Sequence, residues 1–133
     1  MKKPRTIQNE NDLRTYIHME AEESGHHVSH IESPITSPGI PDLNISRAGL
    51  DLWLEIKVMK RGGIQMRPAQ RKWHRERAAS QGWSFVVCWI DGMIYVHNGS
   101  DAAGWLPRSL KWRSGKPYAL EEVCTMLAML GTL

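Results

Sequence analysis

The stretch IPDLNISRAGLDLWLEIKV, residues 40–58, decides the fold. From Leu50 to Val58 every even-numbered position is Leu, Ile or Val, whereas the odd-numbered positions include Asp51, Glu55 and Lys57. Alternation with period two is typical of a strand, because successive strand side chains point to opposite faces. We therefore expect one face of this strand to enter the core and the other to carry the chemistry.

A second strand is expected over residues 40–46, just before the first. The two are separated by Arg47, Ala48 and Gly49, a three-residue spacing that suits a tight antiparallel hairpin. Gly39 allows the backbone to turn sharply into the earlier strand.

The remaining elements are predicted outward from this hairpin. Leu13, Ile17 and Ala21 recur at helical spacing, and Gly25 stands where a helix would end. Pro68 is well placed as the first residue of a later helix, with Gly82 at its end. The predicted elements are a helix over 10–24, strands over 26–32, 40–46 and 50–58, a helix from 68 to about 81, strands over 83–90 and 93–97, and a last helix over 119–130.

The length of 133 residues predicts one domain. The predicted helices and strands indicate an α/β fold, with a mixed central sheet flanked by helices. The order over residues 10–90 is α-β-β-β-α-β, and residues 98–133 form a C-terminal extension that includes the last helix. No apolar run approaches the length of a membrane span, and the N-terminus lacks the apolar segment of a secretory signal. We expect a cytoplasmic protein without a membrane segment.

Cysteine and histidine spacing predicts no structural zinc. Cys88 and Cys124 form no CxxC pair, and no second ligand pair accompanies the histidines around residues 26–30. We expect both cysteines to be reduced and buried.

Residues 57–77 carry eight lysines and arginines and a single acid, Glu76. Such a local excess favours a polyanionic partner, since neutralised phosphates release counterions and steer association. A solvated helix face would give the same pattern, so charge alone leaves both interpretations open.

Glu55 and Lys57 are two positions apart on one strand and therefore reach the same side. Asp42 can come alongside Glu55 if the hairpin is in register. Hydrolysis of a phosphodiester by a metal needs carboxylate ligands and a nearby cation, and Mg²⁺ requires only a few carboxylates because it retains several waters. The ExK pattern alone would also fit an ordinary strand with a charged outer face.

Three segments in this order and spacing add the context: SPGIPDL at 37–43, LWLEIKV at 52–58 and RPAQRKW at 67–73. Together they resemble the PD-(D/E)XK nucleases, in particular the small phage-type members of the VRR-Nuc group. The resemblance covers about residues 10–90 and implies a restriction-endonuclease-like fold with bound Mg²⁺, for which Mn²⁺ could substitute.

The resemblance also implies residue roles. Asp42 and Glu55 would be metal ligands, joined by the main-chain carbonyl of Ile56. Lys57 would orient or activate water and stabilise the transition state. Gln70 is similar to the glutamine that this group places beside the metal.

A glutamate of the first helix usually completes such sites. We favour Glu10, which lies on the apolar stripe that must face the sheet. Its other interpretation is a first-turn glutamate stabilised by the helix dipole. Glu20 and Glu22 remain alternatives.

The function expected from this resemblance is Mg²⁺-dependent endonucleolytic hydrolysis of DNA, selective for branched or junction structures, by a homodimer. The alternatives are a nicking or exonucleolytic repair nuclease and a non-catalytic DNA-binding module that uses the basic helix 67–77. Trp73 could stack on a base, although packing against the sheet is the commoner role. The candidate DNA-backbone contacts are Lys60, Arg61, Arg67, Arg71, Lys72 and Arg75.

Overall fold

The computed structural model describes residues 2–31, 39–47, 50–59, 63–82 and 84–103, together with the backbone strand 116–119. The elements, in chain order, are α1 (Glu10–Glu23), β1 (His27–His30), β2 (Leu43–Arg47), β3 (Leu50–Val58), α2 (Pro68–Ala79), β4 (Ser84–Ile90), β5 (Met93–Asn98), α3 (Gly99–Ala102) and β6 (Lys116–Ala119). The predicted order α-β-β-β-α-β is therefore confirmed. No helix in these ranges is long and apolar enough to cross a membrane.

The strands form one six-stranded sheet in the order β1-β2-β3-β4-β5-β6. Neighbouring strands are antiparallel except β3 and β4, which are parallel. A parallel pair needs a crossover connection, and the segment that contains α2 provides it. The mixed central sheet expected from the sequence is confirmed.

Helices cover both faces of this sheet. The larger core lies on the α1 side, where Leu13 and Ile17 pack with Leu54, Ile56 and other apolar residues of the strands. A smaller core on the other side contains Ile64, Met66, Val86, Cys88, Ile90 and Ala102. On the other face of β3, Glu55 and Lys57 are buried as well, which an alternating pattern did not predict, whereas Asp51 is exposed.

Two predicted boundaries differ at the hairpin and the second helix. β2 begins at Leu43 rather than at residue 40, and Arg47 pairs with Leu50, so only two residues connect the strands. α2 ends at Ala79, and the left-handed residue beyond it is Gln81, with φ of 59°, rather than Gly82. Gly25 does follow α1 with a positive φ of 88°, as predicted.

The helix predicted over residues 119–130 is wrong at its first residue. Ala119 ends β6, which pairs with β5, instead of beginning a helix. Residues 120–130 of the predicted last helix lie outside the described residues, as does Cys124. The short α3 was not expected. Cys88 is free and buried, as predicted.

Candidate active site

The hairpin register brings Asp42 beside Glu55. Leu43 pairs with Leu54 in an antiparallel register. Asp42, which precedes Leu43, therefore faces Glu55, which follows Leu54. Asp42 is held in this position by the backbone of β3, because the Ile56 N–H donates to Asp42 Oδ2 at 2.9 Å. Asp42 therefore lies beside Glu55, as expected for a hairpin in register, although the connection is two residues long instead of three.

A buried network connects Glu55, Lys57 and Gln70. The Gln70 side-chain amide donates to Glu55 Oε1 at 2.7 Å, and its oxygen accepts from Lys57 Nζ at 2.9 Å. The same oxygen accepts from the Arg67 N–H at 2.9 Å, which satisfies one of the free donors at the start of α2. Lys57 Nζ is 3.6 Å from Glu55 Oε1. The Gln70 side chain thus contacts both the Glu55 carboxylate and the Lys57 ammonium group and connects them to α2.

The electrostatics of Glu55 fit a cation site. Burial raises the pKa of Glu55 well above its usual range, the negative charge of Asp42 raises it further, and Lys57 lowers it. Glu55 is only 3% exposed, and its Oε2 atom has no hydrogen-bond partner among the described residues. A hard divalent ion between the two carboxylates would offset their repulsion and provide a partner for Oε2.

Two acidic side chains, rather than a larger cluster, would hold such an ion. Within the described ranges no group of three His, Cys, Asp or Glu side chains has metal-binding geometry. Asp42, Glu55 and the Ile56 carbonyl remain the candidate ligand set, and Mg²⁺ commonly completes such a set with water.

A cavity of about 450 Å³ opens over the acidic pair. Glu10, Lys57 and Gln70 line it together with Asp42 and Glu55, so all five predicted catalytic side chains meet there. The two alternatives to Glu10 are engaged elsewhere in α1: Glu20 pairs with Lys3, and Glu22 lies 2.9 Å from His18 Nε2. The geometry thus favours Glu10 among the three.

Arg14 is a site residue that the sequence reasoning missed. Its Nη1 donates to Asp42 Oδ1 at 3.1 Å, and its Nη2 donates to Asn11 Oδ1 at 3.2 Å. The available signal was its position four residues after Glu10, which puts both on one helix face.

A second cavity, of about 370 Å³, lies on the Arg14 side of the acidic pair. Asp42, Glu55, Arg67 and Gln70 line both cavities, whereas Asn11, Arg14 and His30 line only the second. The two cavities therefore meet at the two carboxylates.

The basic residues proposed for DNA contacts divide into three groups. Lys60 and Arg61 lie outside the described residues. Arg71 and Arg75 donate to the carbonyls of Met66 and Ala103, and Lys72 is 3.8 Å from Glu76 on the exposed helix face. Arg67 lines the cavities.

Trp73 packs within the protein. Its ring centroid lies 5.6 Å from that of Trp53, and Arg77 lies over both rings. The packing role that the sequence favoured for Trp73 agrees with this arrangement.

Comparison with known proteins gives a fold and no sequence family. No family model matches the chain, and no curated protein matches it. Among solved structures, it is similar to Hjc, a Holliday junction resolvase from the archaeal hyperthermophile Archaeoglobus fulgidus, with a TM-score of 0.57 and 13% identity over 91% of this chain and 98% of that chain. The fold is therefore restriction-endonuclease-like, as the sequence predicted.

Proposed function

We propose that this protein is a Mg²⁺-dependent DNA endonuclease that hydrolyses phosphodiester bonds, with branched or junction DNA as its preferred substrate. The observation that carries the proposal is the pairing of half-buried Asp42 with buried Glu55, since their mutual repulsion and the unpartnered Glu55 Oε2 atom suit a divalent ion. The fold supports it, since a nuclease shares the fold along nearly its whole length.

Different residues of this protein would bind the ion and act on the water and the phosphate. Asp42, Glu55 and the carbonyl of Ile56 would hold the ion, and Glu10, which lines the same cavity, would complete the catalytic site from α1. Bound Mg²⁺ would polarise the phosphate and lower the pKa of the attacking water. Lys57, held by Gln70, would orient that water and stabilise the negative charge that develops on the phosphate.

A preference for branched DNA is proposed from the structural neighbour, which is a Holliday junction resolvase. Asp42 and Glu55 would cut one strand at a time, so cutting two strands would require a symmetric pair of chains. We therefore also propose a homodimer. A position within the VRR-Nuc group, a cytoplasmic location and a single nuclease domain spanning residues 1–133 belong to the same proposal.

Two alternatives differ in substrate or in chemistry. A nicking or exonucleolytic repair enzyme would use the same residues on unbranched DNA. A non-catalytic DNA-binding module would need only the basic surface of α2, and the pair of Asp42 and Glu55 would then add only repulsion toward phosphate. The acidic pair favours an enzyme.

Cleavage of matched DNA substrates tests the proposal. Linear, nicked and four-way DNA are incubated with the protein in Mg²⁺, in Mn²⁺ and in EDTA. We expect cleavage in either metal, none in EDTA, and the fastest cleavage with four-way DNA. Fast cleavage of linear or nicked DNA would instead favour the repair nuclease, and intact DNA in every metal would favour the binding module.

Glu55→Gln separates lost chemistry from lost folding. The variant keeps the shape of the side chain and removes its charge, so we expect it to fold while cutting at a background rate. Mg²⁺ should raise the thermal stability of the wild-type protein and leave the variant unchanged, because a ligand that binds only the folded state stabilises it by about 2.7 kcal/mol at one hundred times its Kd.

A further inference from the structure

The second cavity has a chemical character that hydrolysis at the acidic pair does not use. The residues that line only this cavity include the guanidinium group of Arg14, the amide of Asn11 and the imidazole of His30, beside the apolar residues Ile31 and Ile40. All three polar groups can donate hydrogen bonds to an anion. Its lining is completed by Asp42, Glu55, Arg67 and Gln70.

Arg14 is oriented toward this cavity by two partners. Asn11 Oδ1 fixes one terminal nitrogen, and Asp42 Oδ1 accepts from the other. The Asp42 pair neutralises the arginine as long as the carboxylate has no other cation. A divalent ion bound to Asp42 and Glu55 would balance the charge of the Asp42 carboxylate in place of Arg14. The guanidinium group would then be available to another anion.

His30, another residue of this cavity, is held by contacts between side chains. The His30 ring is hydrogen-bonded to the His18 ring, and His18 Nε2 lies 2.9 Å from Glu22. These contacts connect Glu22, on the surface of α1, with His30, at the end of β1. The imidazole is thereby positioned before any ligand arrives, which lowers the ordering cost of binding.

We propose that the second cavity binds the phosphate next to the one being hydrolysed, on the same DNA strand, with Arg14 as its principal donor. A strand whose scissile phosphate lies at Asp42 and Glu55 must continue on both sides of them. Lys57 lines the first cavity, Arg14 lines the second, and Arg67 reaches both. The inference rests on the proposed function and adds a substrate subsite to it.

Binding measured without cleavage tests the subsite. The probe is a fluorescein-labelled four-way DNA junction in Ca²⁺, and the DNA is checked on a gel to be uncut. For Arg14→Gln we expect roughly tenfold weaker binding, the effect of losing one charge-assisted hydrogen bond. The slope of log affinity against log salt should fall by about 0.9, the value for one phosphate contact. Arg14→Lys should retain most of the slope, because the charge remains.

Two controls separate this role from others. Arg5→Gln makes the same charge change at an exposed N-terminal position and should leave the slope unchanged. Calorimetric Ca²⁺ titration without DNA should show that Arg14→Gln binds the ion at least as tightly as wild type, because a positive charge near the ion is gone.

Three results would overturn the subsite. They are wild-type DNA affinity in Arg14→Gln at saturating Ca²⁺, an equal loss in Arg5→Gln, and a loss of Ca²⁺ affinity that accounts for the whole loss of DNA affinity. The last would make Arg14 only a positioning residue for Asp42. Failure of the wild-type protein to cut DNA in Mg²⁺ would overturn the proposed function instead, while the binding results would still report on the subsite.

Discussion

Gln70 shows how a neutral side chain can control a charged site. It is 4% exposed and contacts both a carboxylate and an ammonium group through opposite ends of its amide. Without it, Glu55 and Lys57 would each lose a buried partner, and a buried group without a partner costs free energy.

For Gln70→Ala we expect the free energy of unfolding to fall by about 1–3 kcal/mol, because two buried charged groups lose a hydrogen bond. DNA cleavage should slow by at least tenfold, since Lys57 is no longer held. Urea denaturation and single-turnover cleavage measure the two effects. Gln8→Ala makes the same truncation at an exposed position and should change neither. Wild-type behaviour of Gln70→Ala would contradict the role.

His74 makes the stability depend on pH. The side chain is fully buried, with Nδ1 at 2.8 Å from Ser84 Oγ, and burial together with the charge of Lys57 lowers its pKa to about 4. The unfolded chain binds the His74 proton near pH 6.5, whereas the folded chain binds it only near pH 4. The contribution of His74 is therefore complete above pH 6.5 and is lost as the pH falls toward 4.

This loss should amount to roughly 3 kcal/mol. Denaturation of wild type and of His74→Gln between pH 7 and pH 4 measures it. Glu55 and His97 titrate in both proteins, so the difference between the two stabilities isolates His74. A difference that stays constant across this range would contradict the expectation.

At the scale of elements, the loop before β2 and the first turn of α2 approach unusually closely. Gly39 has φ of +89°, and a Cβ atom there would lie 2.3 Å from the Ala69 carbonyl oxygen. This contact brings the segment that carries Asp42 against the helix that carries Gln70. The sequence predicted the tight turn at Gly39 but not the helix contact.

A pair of glycine substitutions measures the approach. Gly92 has a similar φ of +82° with nothing within 4 Å of its Cβ position. We expect Gly92→Ala to cost about 1 kcal/mol, from backbone conformation alone. Gly39→Ala should cost clearly more and should also slow cleavage, since Asp42 must move with the loop. Equal losses of unfolding free energy in the two variants would show that the close approach has no energetic effect.

The elements also show what sequence could predict. The alternation in β3 and the short connection before it are local, so they predicted a hairpin that could place Asp42 near Glu55. The register itself depends on a connection of two residues, where three were predicted. β6 depends on pairing with β5, which no local pattern encodes, and its segment was assigned partly to a helix. Arg14 was missed for the same reason, because its partner Asp42 is 28 residues away.

For the whole molecule, the expected assembly is a symmetric dimer in which each chain cuts one strand. Light scattering after size-exclusion chromatography should give twice the chain mass. Mixed dimers of wild type and Glu55→Gln should nick a four-way junction once instead of cutting it on both sides. A monomer that makes paired cuts would contradict this expectation.

The likeness to Hjc at 13% identity also belongs to this scale. Packing requires only apolar residues of suitable size at core positions, so a sheet with helices on both faces can persist after sequence similarity has been lost. Side chains that meet at one point, such as Asp42, Glu55 and Gln70, are more restricted, because each must reach a fixed place in the cavity.

The pairing of Arg47 with Leu50 makes the length of the connection between β2 and β3 part of the site. Inserting one residue there, with β3 kept in place, would slip β2 by one position and exchange its two faces. Leu43 would then stand where Asp42 now meets Glu55, and an acid would enter the apolar interior. Genetic variation in chain length should accordingly be excluded from this connection, although connections between strands usually accept insertions.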